Sequence, residues 1–366
     1  MSIRFSSTAL VTVFAAGAAF GDVPDVVADI APVHSLVARV MDGVGSPELI
    51  LPQEASPHGF ALRPSQASAL QNAELVFWVG EGLTPWLGEA LDTLAPDATA
   101  VELMEVEETF LLPIRVGATF EAHDHDDHAD HDDHADHEDD HDAHEDHDDH
   151  GHDEHDHEEH GHDEDGHDDH DDHADHDAHE EDHADAHGGD HEGHDHSGMD
   201  PHAWLDPLNA ATWARAIAEE LAQADPENAS TYRANADELV AELGSLTADL
   251  NASISANPPA GFVVFHDAYQ YFETRFGFAP LGAISVSDAG APSAGRVAEV
   301  RARITELGGT CVFAEPQFDP RIVATVTEGT EAGTAVIDPL GSTLDLGPAL
   351  YPQLIRNMAQ SFQSCS

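Results

Sequence analysis

Residues 225–259 read DPENASTYRANADELVAELGSLTADLNASISANPP. Asp225 can cap a helix with Pro226 in its first turn. The apolar residues Tyr232, Ala236, Leu239, Leu243, Leu246, Leu250 and Ile254 then recur at steps of four and three, until Pro258 and Pro259 stop the run. The spacing predicts one helix of about 31 residues, roughly 45 Å long, which is longer than a lobe is wide. Such a helix either joins two lobes or pairs in a coiled coil. The stripe alone leaves both open, and the flanking sequence favours the first.

On each side of it the chain repeats a short apolar or β-branched run, a turn and a helical period. Before it, strands are expected at Val26–Ile30, Leu49–Leu51, Leu75–Val79 and Thr99–Leu103. Their helices are expected at Val33–Met41, from Pro64 through Leu70, at Pro85–Leu94 and at Leu208–Ala222. After it, strands at Phe262–Phe265, Leu281–Ile284, Cys311–Ala314 and Ala335–Ile337 precede helices at His266–Phe276, Arg296–Leu307, Pro320–Thr327 and Tyr351–Phe362. This alternation implies α/β architecture: two lobes, each a parallel sheet flanked by helices. The expected divisions are a signal peptide over 1–21, an N-terminal lobe over 22–224, a connecting helix over 225–257 and a C-terminal lobe over 258–366.

One insertion interrupts the scheme, between the fourth strand and its helix. Glu121 to His196 holds 25 of the 29 histidines and 37 of the 73 acidic residues, with almost nothing apolar beyond Ala. A stretch of this composition cannot bury enough surface to offset its ordering entropy, so it is expected to be disordered without ligand. Imidazoles and carboxylates two and three residues apart, as at His123, His125, His128 and His131, always supply several partners for a borderline divalent ion. The tract from His123 to His196 therefore reads as an accessory metal gatherer. A solvated acidic spacer is the alternative.

The 12 cationic residues are all Arg, and the net charge is −61. Outside the tract 36 acids still face those 12 Arg, so a nucleic-acid backbone would be repelled and cations are the natural partners. At the N-terminus Arg4 precedes an apolar run from Ala9 to Phe20 and small residues around Ala19 and Gly21. This pattern is too short to span a bilayer and suits an export signal. No later stretch is long and apolar enough to make an integral membrane protein, and a monomer is expected. In an oxidising compartment Cys311 and Cys365 are expected to form a disulfide, stabilising the fold by roughly 4 kcal/mol on the chain-entropy model. Two unpaired structural thiols are the alternative.

Ligands of open parallel sheets bind beyond the carboxyl ends of the strands. That rule selects His58 after the second strand, His202 after the fourth, His266 at the end of the fifth and Asp338 at the end of the eighth. Two come from each lobe, so a metal among them would lie in the cleft. Three neutral imidazoles suit zinc better than manganese, although copper and nickel bind such sites at least as well by intrinsic affinity. Asp267 would either orient His266 or serve the dipole of a helix first turn. His34 also follows a strand and is a weaker candidate.

The segments LPQEASPHGFALRPS (51–65), DPHAWLDP (200–207), FHDAYQYF (265–272), CVFAEPQF (311–318) and DPLG (338–341) resemble the ZnuA family, the zinc-specific periplasmic binding proteins of bacterial ABC transporters. The likeness covers nearly the whole exported chain, including the long helix, the His-rich insertion and the cysteine pair. It implies the metal-binding class of periplasmic binding protein, with His58, His202 and His266 as ligands and Zn2+ as the transported ion. It also implies a membrane permease with a cytoplasmic ATPase as partner. Some members carry a Glu where this chain has Pro57, so the fourth ligand here is either Asp338 or water.

The expected function is thus zinc capture in the periplasm and delivery to an ABC importer, without enzymatic activity. A periplasmic zinc buffer without a transporter is the alternative. A zinc hydrolase is suggested only by His137-Glu-Asp-Asp-His141 and His179-Glu-Glu-Asp-His183. Those matches arise from composition, since the zinc-protease motif needs a rigid, packed helix and neither copy has apolar neighbours.

Overall fold

The computed structural model describes residues 23–115, 198–285, 293–307 and 311–365. The expected signal peptide and His-rich tract lie outside these residues. Strands β1 (Val26–Ala28), β2 (Glu48–Leu49), β3 (Leu75–Trp78) and β4 (Thr99–Glu102) form one sheet in the order β2-β1-β3-β4. Strands β5 (Phe262–His266), β6 (Gly282–Ser285), β7 (Cys311–Ala314) and β8 (Gly333–Val336) form a second in the order β6-β5-β7-β8. All pairings between these strands are parallel. The helices are α1 (Ala31–Val40), α2 (Pro64–Asn72), α3 (Pro85–Leu94), α4 (Pro207–Ala224), α5 (Ala229–Ala256), α6 (Gln270–Phe276), α7 (Ala294–Leu307), α8 (Pro320–Thr327) and α9 (Leu350–Ser364).

The strands alternate between two buried faces, as parallel sheets covered on both sides must. Val26, Ala28, Leu75, Phe77, Phe262, Val264 and Phe313 point into one apolar core that runs without a break through both lobes. Val27, Val76 and Trp78 point the other way, into a smaller cluster under α2 and α3. Val263, Phe265 and Val312 do the same under α7 and α8. The shared core is lined by α5, whose Tyr232, Leu239, Leu243 and Leu246 are buried. This helix packs against α1 and α4 of the first lobe and α6 and α9 of the second.

Most boundaries shift by one or two residues from the sequence reading, and two helix starts shift further. The long helix has 28 residues and starts at Ala229. Asp225 instead closes the corner after α4, accepting from the Asn228 side chain (2.7 Å) and the Tyr232 hydroxyl (2.8 Å). Helix α6 starts at Gln270 and not at His266, because Ala268 N bonds back to His266 O (3.0 Å) and makes a bend after the strand. Cys311, at the start of β7, is bonded to Cys365, at the end of α9, across a sequence separation of 54. Among the described residues no helix is long and apolar enough to cross a membrane.

Candidate metal centre

The lobes meet at the carboxyl ends of their strands, where several bonds tie them together. Trp204 Nε1 donates to Pro339 O (2.9 Å), and the Tyr351 hydroxyl donates to Trp204 O (2.7 Å). Arg275 of α6 holds Asp206, which also caps α4 through Leu208 N. Gln53 reaches across to Gly341 O and Leu344 O. Between these ties lies a small pocket lined by His58, His202, His266, Trp204, Glu315 and Gln317, among others.

Each histidine arrives by a different local route. His266 ends β5, the inner strand at the switch point of its sheet, and the bend at 266–268 turns its imidazole into the cleft rather than along a helix. His202 precedes the turn Ala203–Leu205 that leads into α4. His58 lies in the loop after β2, where Trp86 Nε1 of α3 holds the preceding carbonyl, Pro57 O, at 2.7 Å. Ring centroids are 5.6 Å apart for His58 and His202, and 5.2 Å apart for His202 and His266.

The decisive geometry lies between the lobes. His202 Nε2 and His266 Nε2 face each other at 3.4 Å. Two nitrogens at about 2.0–2.1 Å from one tetrahedral zinc are separated by roughly 3.3 Å. Behind the rings, Asp200 Oδ1 lies 2.7 Å from His202 Nδ1, and Glu315 Oε1 lies 2.8 Å from His266 Nδ1. When ionised, each carboxylate can only accept, so Nδ1 then carries the proton and Nε2 turns its lone pair to the cleft, the state that metal ligation requires. At 3.4 Å a proton can bridge the two Nε2 atoms in this nearly dry site, His202 being 6% and His266 4% exposed, and a metal ion would take that proton's place. Among the described residues no three His, Cys, Asp or Glu side chains already converge on one ion position.

Burial raises the Asp200 carboxyl to about 7, against the His202 backbone N–H and Arg115, which hold it down. Arg115 is clamped by Asp267 and by Glu273 (2.7 Å). Asp267 therefore serves an ion pair, not His266, and it also lies outside the first turn of α6. The orienting role falls to Asp200 and Glu315, which sequence reasoning did not single out. Their signals were present as the Asp-x-His spacing at 200–202 and the acid one residue beyond β7, the neighbour of β5. His34 is buried on α1 with Nε2 3.2 Å from Pro47 O and does not line the pocket.

Asp338 is placed differently from expectation. Its Oδ1 accepts from Leu340 N (3.1 Å) and Gly341 N (3.0 Å), and its Oδ2 accepts from Ser342 N (2.6 Å) and Ser342 Oγ (2.8 Å). Gly341 sits at φ +71°, a conformation that lets the chain wrap back onto the carboxylate. With its lone pairs used in its own turn, Asp338 is absent from the pocket lining.

A family model described as "Zinc-uptake complex component A periplasmic" matches residues 26–365. The chain belongs to the ZnuA family. It is 42% identical over 361 residues to the Brucella abortus protein named high-affinity zinc uptake system protein ZnuA, covering 99% of this chain and 97% of that one. The Paracoccus denitrificans protein of the same name is 40% identical over 366 residues, covering 99% and 98%. Among solved structures, a ZnuA deletion mutant with zinc bound superposes with a TM-score of 0.63 at 20% identity, covering 94% of this chain and 98% of that chain. ZnuA-family membership thus joins a two-sheet fold whose strand ends bring imidazoles from both lobes face to face.

Proposed function

We propose that this chain captures zinc in the periplasm between His58, His202 and His266 and delivers it to an ABC-type importer made of a membrane permease and an ATPase. The observation that carries this reading is the 3.4 Å approach of His202 Nε2 and His266 Nε2, each imidazole backed by a buried carboxylate. The distance suits two corners of a zinc tetrahedron, and the carboxylates set the tautomer that zinc requires. Asp338 is left out of the ligand set because its oxygens are used in the 338–342 turn. The names of the relatives, which describe zinc uptake, support the same ion.

The protein acts as a monomeric carrier and not as an enzyme. Asp200 and Glu315, the buried carboxylates behind the site, are committed to imidazole Nδ1 atoms and are not placed as general bases. The tract from His123 to His196 gathers zinc weakly and feeds the tight site. Replacing His266 with Ala should abolish the tight site while the metal-free protein melts as before, as read by competition against a zinc chelator. A His266→Ala protein that holds one zinc as tightly as the wild type would refute the assignment.

A further inference from the structure

Three imidazoles leave one corner of a zinc tetrahedron open. Pro57 has no donor to offer, and Asp338 spends its carboxylate on its own turn. The free space in this half-open pocket is about 10 Å3, on the scale of a single water. It therefore admits the ion stripped of its hydration shell with at most one small ligand. A metal-bound water at that corner is strongly polarised and needs an acceptor for its protons.

We propose that Gln317 is that acceptor, a positioning residue for the water that completes the zinc shell. Gln317 lines the same pocket as the three histidines. Its Oε1 is buried with no hydrogen bond. Its amide orientation follows from its neighbour: Nε2 lies 3.4 Å from Asp338 Oδ1, and a carboxylate can only accept, so the nitrogen must face Asp338 and the oxygen is left for the cleft. Asp338 thus acts two steps from the ion, by holding the amide that holds the water. Glu315 also lines the pocket and its Oε2 has no hydrogen bond, but its Oε1 is bonded to His266 Nδ1, on the far side of the ring from Nε2, which holds this carboxylate behind the imidazole and away from the open corner. A neutral acceptor retains the water without adding a further negative charge beside the ion, which suits a carrier that must later release its cargo.

The inference rests on the three-histidine reading, and its test separates the two. Zinc affinity is measured for the full-length chain in competition with a chelator strong enough to strip the tract. Cobalt absorption at one equivalent and metal-free melting are recorded on the same proteins. Gln317→Leu is expected to weaken the tight site roughly tenfold and alter the cobalt spectrum, with metal-free melting unchanged. Gln317→Glu keeps an acceptor at the same reach, and beside the Asp338 carboxylate it is expected to hold one shared proton where the amide N–H stood, so its affinity should stay within a few-fold of wild type. If Gln317→Leu also melts lower, the Glu variant decides: recovery of affinity supports the acceptor role, and affinity as poor as that of Leu overturns it. Wild-type affinity and spectrum in Gln317→Leu, beside loss of the tight site in His266→Ala, overturns the role of Gln317 alone. Retention of the tight site in His266→Ala overturns the ligand set beneath it.

Discussion

Glu315→Gln is the most informative single substitution, because it keeps the shape of the side chain and removes only the charge behind His266. The bond it alters is the 2.8 Å contact from Glu315 Oε1 to His266 Nδ1, in a site where the glutamate side chain is 1% exposed. A hydrogen bond to a charged group contributes about 1.5–3 kcal/mol, and each ~1.4 kcal/mol is tenfold in affinity. Zinc should therefore bind roughly ten- to a hundredfold more weakly, the range typical of groups that support a metal-bound imidazole. Asp200→Asn, acting on the other imidazole through a 2.7 Å contact, should cost a similar factor. Because the two carboxylates act on different rings, the losses should multiply in the double variant. The assay is chelator competition at low free zinc, where the weaker sites of the tract stay empty, together with a melting curve of each metal-free protein. Affinity of Glu315→Gln within about twofold of wild type, in a normally folded protein, would refute the claim that buried carboxylates prepare these histidines for metal.

Asp338→Ala should cost about 1–3 kcal/mol of stability, since it strips the acceptor from the 338–342 turn. It should lower zinc affinity less than about tenfold; a loss as severe as that of His266→Ala would restore Asp338 to the ligand set. Deleting residues 121–196 should remove several weak sites and leave the tight one, with slower loading when zinc is scarce. Equal metal stoichiometry for the two proteins would leave the tract as a spacer. Burial raises the carboxyls of Asp29, Asp200 and Glu273 to about 7. A folded-state pKa above the unfolded one gives stability that is full below the ordinary carboxylate range and lost as pH rises through about 7. The metal-free protein should accordingly melt at a lower temperature at pH 8 than at pH 5, and the reverse trend in a thermal scan would show that these groups are ionised at little cost.

The architecture was legible from local patterns. Alternating apolar runs, the three- and four-residue stripe of Tyr232 to Ile254 and the prolines that open α2, α3 and α8 are short-range features, written where the elements form. The histidines at the strand ends could be found for the same reason, since the place of a ligand in a parallel sheet follows from strand direction. Which acid serves which imidazole could not be read this way. Glu315 reaches His266 from 49 residues away, and Arg115 reaches Asp267 from 152. Asp267, adjacent to His266 in sequence, is drawn off by an arginine that only the packing of the lobes brings near. Asp338 shows the opposite case. It stands two residues beyond β8, where a ligand would be sought, but four backbone and hydroxyl donors within the next four residues bond its oxygens. Sequence determines where the strands end and which donor types stand there. Which of those donors remains available to an ion is decided by competition among hydrogen bonds, and only the folded chain sets its outcome.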